Sequence, residues 1–564
     1  MAEVDGRGSR AAVELRVERA LRAAARAGNR LLSGGVARVR VGGDGDREVL
    51  LTALARMGVR LEDAAGLPAE FVFVDHLGDD ERGGRSHPAE PAGDAGRGSG
   101  AGLDPVVVAL DGGIASARGG DAAARIAWAA RGMRTTARLA EEFARARAGA
   151  RGPRIGVSLV LEPKTAALAL ALADAGCEVA LFSAVSETDP EVAAALAADG
   201  RIAVFAPTSA AGAGEERPEA AARLDAEHAA AILDWGPEYL VDDGSHLIRL
   251  AHSERPRALD RLRAAAEETT SGVRPLREME AEGALRIPVI AVNDARTKTD
   301  FDNLIGTGQS CVLAIADLLD EAGWAASQRG GADPRPHAPA YAGVAGTRWA
   351  VVGYGPVGAG TARFAAALGA EVTVVERDPV RALAALHDGF EARCADEALP
   401  AADVVVSATG VWHTLEAHGF ALLRPGTAVA VAGGIDDELA LDELQAAGWA
   451  RRPAGDGLAE WIAPGADHGP LVLADGGGVN YTAAEGNPVE VMDLSFATQL
   501  AALTRLMRDD LAPGVHALSS EDEARVARAA LEVRGGSADP APSRGRPGGA
   551  AQPWPVHRYR SASA

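Results

Sequence analysis

From Arg154 to Asp243 the chain keeps one rhythm. "RIGVSLVL" is an apolar strand and "KTAALALALADAG" a helix. "CEVALFSAV" is a strand, "PEVAAALAADG" a helix, "RIAVFAP" a strand, and "PEYLVDDG" a strand ending in two carboxylates. Strands and helices alternating at this spacing predict a doubly wound parallel sheet. Ligands of such sheets sit beyond the carboxyl ends of the strands. Glu162, Asp242 and Asp243 are therefore expected at the mouth of a pocket.

A second α/β series follows residue 346. "RWAVVGYGPVGAGTARFAAALGAEVTVVERDP" runs an apolar strand into Gly353, Gly355 and Gly358, then a helix, then a strand ending at Glu376. The first glycine permits the tight turn. The second lets backbone approach a pyrophosphate, and the third lets helix pack on strand. The helix N-terminus offers N–H groups to the phosphates. Glu376 is placed to accept the ribose hydroxyls, which favours NAD over NADP, although Arg377 stands beside it. "ADVVVSATG" and "GTAVAVAGG" read as later strands of this sheet, with loops facing the nicotinamide.

A chain of 564 residues is too long for one core and predicts two or three domains. The net charge of −22 argues against nucleic acid and anionic membrane as partners. No run of about 18 uncharged apolar residues is present, so no membrane span is expected. "MAEVDGRGSR" has no secretory pattern. Cys177, Cys311 and Cys394 lie far apart, which suggests neither disulfides nor a metal site. A cytoplasmic protein is expected. Residues 77–103 and 328–346 read as linkers, and the segment beyond 536 as a disordered tail.

Lys164 and Lys298 are the only two lysines. An amine can shed its proton when a dry pocket or neighbouring cation depresses its pKa, whereas a guanidinium in practice cannot. A catalytic Lys298 would resist replacement by Arg; the bland alternative is a surface pair with Asp300 or Asp302.

Four stretches then add up: "AEETTSGV" (266–273), "IPVIAVNDARTKTDFDNLIGTGQS" (287–310), "VVGYGPVG" (351–358) and "GGGVNYTAAEGNPVEVMDLSFATQ" (476–499). In this order they resemble the adenosylhomocysteinase (S-adenosylhomocysteine hydrolase) family over roughly 105–535. The resemblance implies a two-lobed α/β enzyme. A substrate lobe built on the doubly wound sheet (104–327 and 484–505) is joined to a Rossmann NAD-binding domain (328–483), and a C-terminal segment returns to the substrate lobe. Residues 1–103 form an extension without counterpart, and 506–564 a terminal helix and tail. The family recycles bound NAD: it oxidises a ribose 3′-hydroxyl, eliminates the 5′-thiol, adds water and reduces the ketone again.

Carried over residue by residue, Lys298 matches the lysine that takes the 3′-hydroxyl proton, Asp302 the carboxylate that holds it, and Asn303 the adjoining asparagine. Asp243 matches the 4′-proton base, with Asp242 as its one-residue alternative, and Glu268 a ribose acceptor. Thr269, Thr270, Ser271, Glu376, Thr409 and Asn480 match cofactor contacts, and the glycine turn and its loops add Gly353, Gly355, Val357, Gly358, Arg381, Gly410 and Gly433.

The departures concern the substrate. The family's catalytic His is Val160, and its adenine-contacting Thr and Glu are Glu162 and Lys164. Two further family histidines are Gly434 and Asn487, the cysteine beside the nicotinamide is Thr307, and the usual Asp of the glycine turn is Pro356. Groups for 3′-oxidation and 4′-deprotonation survive, while those for adenine recognition and leaving-group chemistry are mostly replaced. Lys164 should favour a carbonyl, phosphate or carboxylate over the adenine amino group. His246 and His413 are possible substitutes for the lost histidines, and a bland role for each is an equal alternative.

The expectation is an NAD-dependent, adenosylhomocysteinase-like hydrolase or lyase. Its substrate would be a small nucleoside or sugar-like molecule other than S-adenosylhomocysteine, approached by Glu162, Lys164, His246, Glu268 and Asn487. The alternatives are an ordinary adenosylhomocysteinase and a non-catalytic NAD-binding regulator. The resemblance also implies a homo-oligomer, dimer or tetramer.

Overall fold

The structure, a computed structural model, describes residues 2–78, 102–147, 151–209, 218–324, 341–433 and 437–539. The expected linkers and tail fall largely outside the described residues, as does Gly434.

Three sheets carry the chain. The first has five strands, β1 (Val36–Arg40), β2 (Arg60–Leu61), β3 (Phe71–Val74), β4 (Val106–Ala109) and β5 (Ile114–Ala115), in the order β2-β1-β3-β4-β5. The first sheet thus has strands on both sides of the expected boundary at 103/104. Val106–Ala109 pairs in parallel with Phe71–Val74 and belongs to the N-terminal extension. An apolar strand next to a linker carries no mark of which sheet it joins.

The second sheet is the doubly wound one. It contains β6 (Arg154–Ser158), β7 (Glu178–Phe182), β8 (Ile202–Phe205), β9 (Tyr239–Asp242), β10 (Ala264–Glu267) and β11 (Pro288–Ala291). Its interior strands are buried along almost their whole length, as a sheet covered on both faces requires. The third sheet holds β12 (Arg348–Val352), β13 (Glu371–Val375), β14 (Glu391–Ala392), β15 (Val404–Ser407), β16 (Ala428–Val431), β17 (Ala450–Gly455), β18 (Leu458–Ile462) and β19 (Leu471–Leu473). Its order is β14-β13-β12-β15-β16-β19-β18-β17, parallel except for the last two pairings. The chain then returns, and β20 (Gly514–Ala517) pairs with β11 at the edge of the second sheet. The segment after 506, expected as helix and tail, thus adds a strand to the second sheet before the helix Ser520–Val533.

The extension packs where the lobes meet. Its first helix, Ala2–Gly28, stops because Asn29 takes a left-handed conformation (φ 47°). Asn29 N then donates to Arg26 O (3.1 Å) and Arg30 N to Ala25 O (2.9 Å), a Schellman-type end that asparagine tolerates. Beyond it, the Gln309 amide accepts from Leu32 N (2.8 Å) and donates to Arg30 O (2.9 Å). Glu18 accepts from Tyr341 Oη and Val344 N (both 2.7 Å), at the entry to the third sheet. One apolar core runs from Leu21 and Phe71 through Cys311 and Ile315 to Trp349 and Val351.

Candidate active site

One cavity of about 1060 Å³ lies between the second and third sheets, beyond the carboxyl ends of β6, β9, β10, β12 and β15. Of the residues singled out in the sequence, Asp243, Glu268, Lys298, Asp302, Asn303, Glu162, His246 and Asn487 line it. So do Thr269, Thr270, Ser271, Gly353, Gly355, Val357, Glu376, Arg381, Thr409, Gly410, Gly433 and Asn480. Gly358 and Lys164 do not reach its wall, and Asp242 stands behind Asp243.

Lys298 sits where a short turn, Arg296–Lys298, opens into a π-helical stretch, Thr299–Gly306. The wider turn brings two following side chains onto one ammonium. Nζ lies 3.0 Å from Asp302 Oδ2 and donates to Asn303 Oδ1 at 2.5 Å. Glu268 Oε1 is 3.7 Å away. All four side chains are buried. Asn303 is aimed by its donation to Asn293 Oδ1 (2.9 Å), which also accepts from Thr270 Oγ1 (3.1 Å). Glu268 accepts from Ser495 and Gln499.

The electrostatics reverse one expectation. Burial pulls the Lys298 pKa down, but Asp302, Glu268 and Asp243 outweigh it, and the net shift is upward. The amine is held as an ammonium rather than poised to lose its proton. Burial raises the pKa of Glu268 and of Asp243, more than the nearby lysine offsets.

Asp242 and Asp243 diverge although adjacent. Asp242 points into the sheet, fully buried, and accepts from Ile248 N (2.9 Å) through Oδ2. Burial pushes its pKa up to about 7. An acid whose pKa rises on folding stabilises the fold while protonated. That contribution is present below its ordinary 3.8 and is lost as pH rises through about 7. Asp242→Asn removes the titration. Melting temperatures should show wild type losing several degrees relative to this variant from pH 4 to pH 7. Parallel curves would contradict it.

Asn487, expected against the substrate, is committed to the protein. Its amide donates to Asp302 Oδ1 (2.6 Å) and Thr307 Oγ1 (2.8 Å), and its oxygen accepts from Ser310 Oγ (2.6 Å). It orients the carboxylate that holds Lys298. Asn487→Ala should slow turnover by about tenfold, with the substrate KM little changed, since a buried acceptor loses its donor. An unchanged kcat would show that Asp302 needs no such support.

Lys164 differs more. Its Nζ lies 2.6 Å from Glu162 Oε2 and donates to Glu485 O (2.9 Å), so the carboxylate faces the cavity with the ammonium behind it. Lys164, expected to meet the substrate, instead forms an ion pair with Glu162. Glu162 also caps the helix Pro163–Asp174 by accepting from Lys164 N and Thr165 N. His246 lies 3.2 Å from Arg249. His413 is buried with Nε2 3.0 Å from Asp442 and Nδ1 3.1 Å from Glu443.

The glycine turn fits a dinucleotide. Gly353 has φ 96°, and a Cβ there would meet Ala408 O and Thr409 Cγ2 at 2.9 Å. A Cβ on Gly358 would lie 2.0 Å from Gly353 O, so this glycine acts by packing and needs no contact with the cavity. Arg381 stands near Gly355 at the start of the helix Pro356–Ala367, a favourable position for a pyrophosphate. The Glu376 carboxylate accepts from Tyr354 N (2.6 Å) and Asp378 N (2.9 Å), which presents it at the end of β13. Glu438 carries no signal in the sequence, yet its Oε1 gathers Ser407 Oγ, Thr409 N, Thr409 Oγ1 and Gly410 N within 2.5–3.0 Å. It shapes the loop after β15.

Comparison with known proteins agrees with this geometry. The family described as "S-adenosyl-L-homocysteine hydrolase, NAD binding domain" matches residues 341–486. The adenosylhomocysteinase of Thermotoga maritima is 36% identical over 422 residues, covering 73% of this chain and 94% of that one. The S-inosyl-L-homocysteine hydrolase of Methanosarcina mazei is 35% identical over 422 residues, covering 74% and 93%. The adenosylhomocysteinase of Archaeoglobus fulgidus is 36% identical over 417 residues, covering 73% and 94%. Among the described residues no helix is long and apolar enough to cross a membrane. A Rossmann turn shaped for NAD faces a buried lysine–carboxylate cluster, and relatives match over nearly their whole length: the chain belongs to the adenosylhomocysteinase family of NAD-dependent enzymes.

Proposed function

We propose that the protein transiently oxidises the 3′-hydroxyl of a ribose-type substrate and promotes elimination and addition at the neighbouring carbons. Its substrate in this reading is a nucleoside thioether whose base presents a carbonyl where adenine has an amino group. The Lys298 cluster, sharing one cavity with the glycine turn, carries the proposal. NAD, when bound, supplies reversible hydride acceptance. Lys298 and Asn303 bind the 3′-hydroxyl, and the Lys298 amine, once it has released a proton, takes the hydroxyl proton. Asp302 and Glu268 hold the resulting ammonium in place. Asp243, when ionised, removes the 4′-hydrogen acidified by the adjacent ketone.

Both proton-transfer groups have raised pKa values, and both must be deprotonated to act. The sign is the same for each: kcat should climb as pH rises above the ordinary carboxylate range, and go on climbing toward the alkaline range above 10.5 where the Lys298 amine sheds its proton. A pH–rate profile flat or falling across that whole range would contradict these roles.

The choice of base rests on Lys164, an ammonium where the family carries an acid. Relatives named S-inosyl-L-homocysteine hydrolase, from Methanosarcina mazei and Methanopyrus kandleri, are 35% identical to the chain. Their names supply a thioether of the proposed kind. A 6-oxopurine offers an N1–H, which adenine lacks, to the Glu162 carboxylate, and the Lys164 ammonium backs that carboxylate from the side away from the cavity. Glu162 itself favours a second reading, ordinary S-adenosylhomocysteine hydrolysis, because a carboxylate lines the same edge. Measuring kcat/KM for S-inosyl- and S-adenosyl-homocysteine on one preparation separates the two. The oxo base should win by about a hundredfold; equal or inverted rates select the second reading. The family resemblance also supports a cytoplasmic homo-oligomer, dimer or tetramer, which sedimentation would test.

A further inference from the structure

The N-terminal extension ends its first helix against the chain segment that closes the active site. The left-handed backbone of Asn29 turns its side chain toward residues 485–490. Asn29 Nδ2 donates to Glu485 O at 2.9 Å, and Asn29 O accepts from Val489 N at 3.0 Å. Glu490 pairs with Arg30 and accepts from Leu31 N (2.8 Å), and Arg118 pairs with the Glu485 carboxylate. The same Glu485 carbonyl accepts from Lys164 Nζ, also at 2.9 Å. Two donors thus share one oxygen, one from the extension and one from the substrate edge. A carbonyl has two lone pairs, so this oxygen is fully engaged and its position is set from both sides. The next residues reach the chemistry directly: Gly486 N donates to Asn480 O (2.8 Å), and Asn487 holds Asp302.

We infer that Asn29 is a positioning residue for substrate specificity: it fixes the Glu485 carbonyl, which in turn aims the Lys164 ammonium at the Glu162 edge of the cavity. The inference rests on the reading that the Glu162–Lys164 pair recognises the substrate's base, with Glu162 facing it and Lys164 behind. It gives the extension a part in the active site that packing alone would not require.

Three variants of the full-length holoenzyme test it: Asn29→Gly, Lys164→Ala and the double substitution. Glycine keeps the positive φ and the backbone bond to Val489 while deleting the amide. Asn29→Gly should raise KM for the preferred thioether about fivefold, the scale of one hydrogen bond. The preference between oxo and amino bases should fall with it, while kcat, bound NAD and melting temperature stay put. In the Lys164→Ala background the same change should leave KM unaltered. If Asn29→Gly raises KM equally in both backgrounds, or lowers kcat alone, Asn29 does not act through Lys164 and the inference fails. If Lys164→Ala shifts KM while Asn29→Gly does nothing, the inference fails alone. If Lys164→Ala changes neither KM nor base preference, the reading of the substrate edge fails and takes the inference with it. Should the glycine variant not fold, Asn29→Asp, which keeps the turn but removes the donor, is read by the same rules.

Discussion

Lys298→Arg is expected to lower kcat by about 10²–10⁴-fold, the range of a positioned acid–base group, with full NAD content and an intact fold. The guanidinium keeps the positive charge that Asp302 and Glu268 require, so buried carboxylates are not left unpaired. It cannot give up its proton at accessible pH. Arginine therefore separates charge from proton transfer, as a neutral replacement would not. Lys298→Met is the complementary variant, leaving both acids without a partner and adding instability to the catalytic loss. Single-turnover absorbance of the reduced cofactor would place the defect: no reduction on mixing with substrate means that the 3′-oxidation is blocked. Turnover of Lys298→Arg within about threefold of wild type would remove Lys298 from proton transfer, since general acid–base catalysis is worth far more.

Gly358→Ala is expected to yield a chain that purifies without its nucleotide. The added Cβ would sit 2.0 Å from Gly353 O and 2.8 Å from Gly353 C, backbone atoms of the glycine turn proposed to take the pyrophosphate. No side chain can swing aside, so helix and turn must separate. Overpacking typically costs 1–3 kcal/mol, and contact with backbone belongs near the upper end, about 3 kcal/mol. NAD per chain, measured after denaturation, should fall toward zero, and added NAD should fail to restore the wild-type melting temperature. Full occupancy at an unchanged melting temperature would mean that the turn is more compliant than this packing implies.

What could be read from the sequence has a common character: it was local. The glycine turn, the strand ends bearing Glu376 and Asp243, and the Lys298–Asp302–Asn303 run are short segments whose spacing reports their geometry. Nearly all of them face the one cavity. What escaped was decided by partners distant in the chain. β4 joins the extension because Phe71–Val74 offers an open edge, and β20 joins the substrate sheet through β11. Glu438 is one of three acids in "GIDDEL", with nothing to single it out until β15 ends beside it. The ionisation of Lys298 was misjudged for the same reason: burial alone would depress it, but three carboxylates from β9, β10 and the π-helical stretch surround the amine. That Lys164 would spend its charge on Glu162 and the Glu485 carbonyl is decided partly by a residue more than 300 positions away.

The π-helical stretch at Thr299–Gly306 has a price in regularity. Such a bulge is an α-helix carrying one residue too many, and it persists mostly where a site needs it. Here the surplus lets residues four and five positions beyond Lys298 both reach its ammonium. A chain shortened by one residue between 299 and 301 could form a more uniform helix, yet it would lose the register that joins Asp302 and Asn303 to Lys298. Stabilising this segment and preserving its activity are therefore opposed aims. Selection for heat resistance that regularised the helix would be expected to produce a sturdier protein with a silent site.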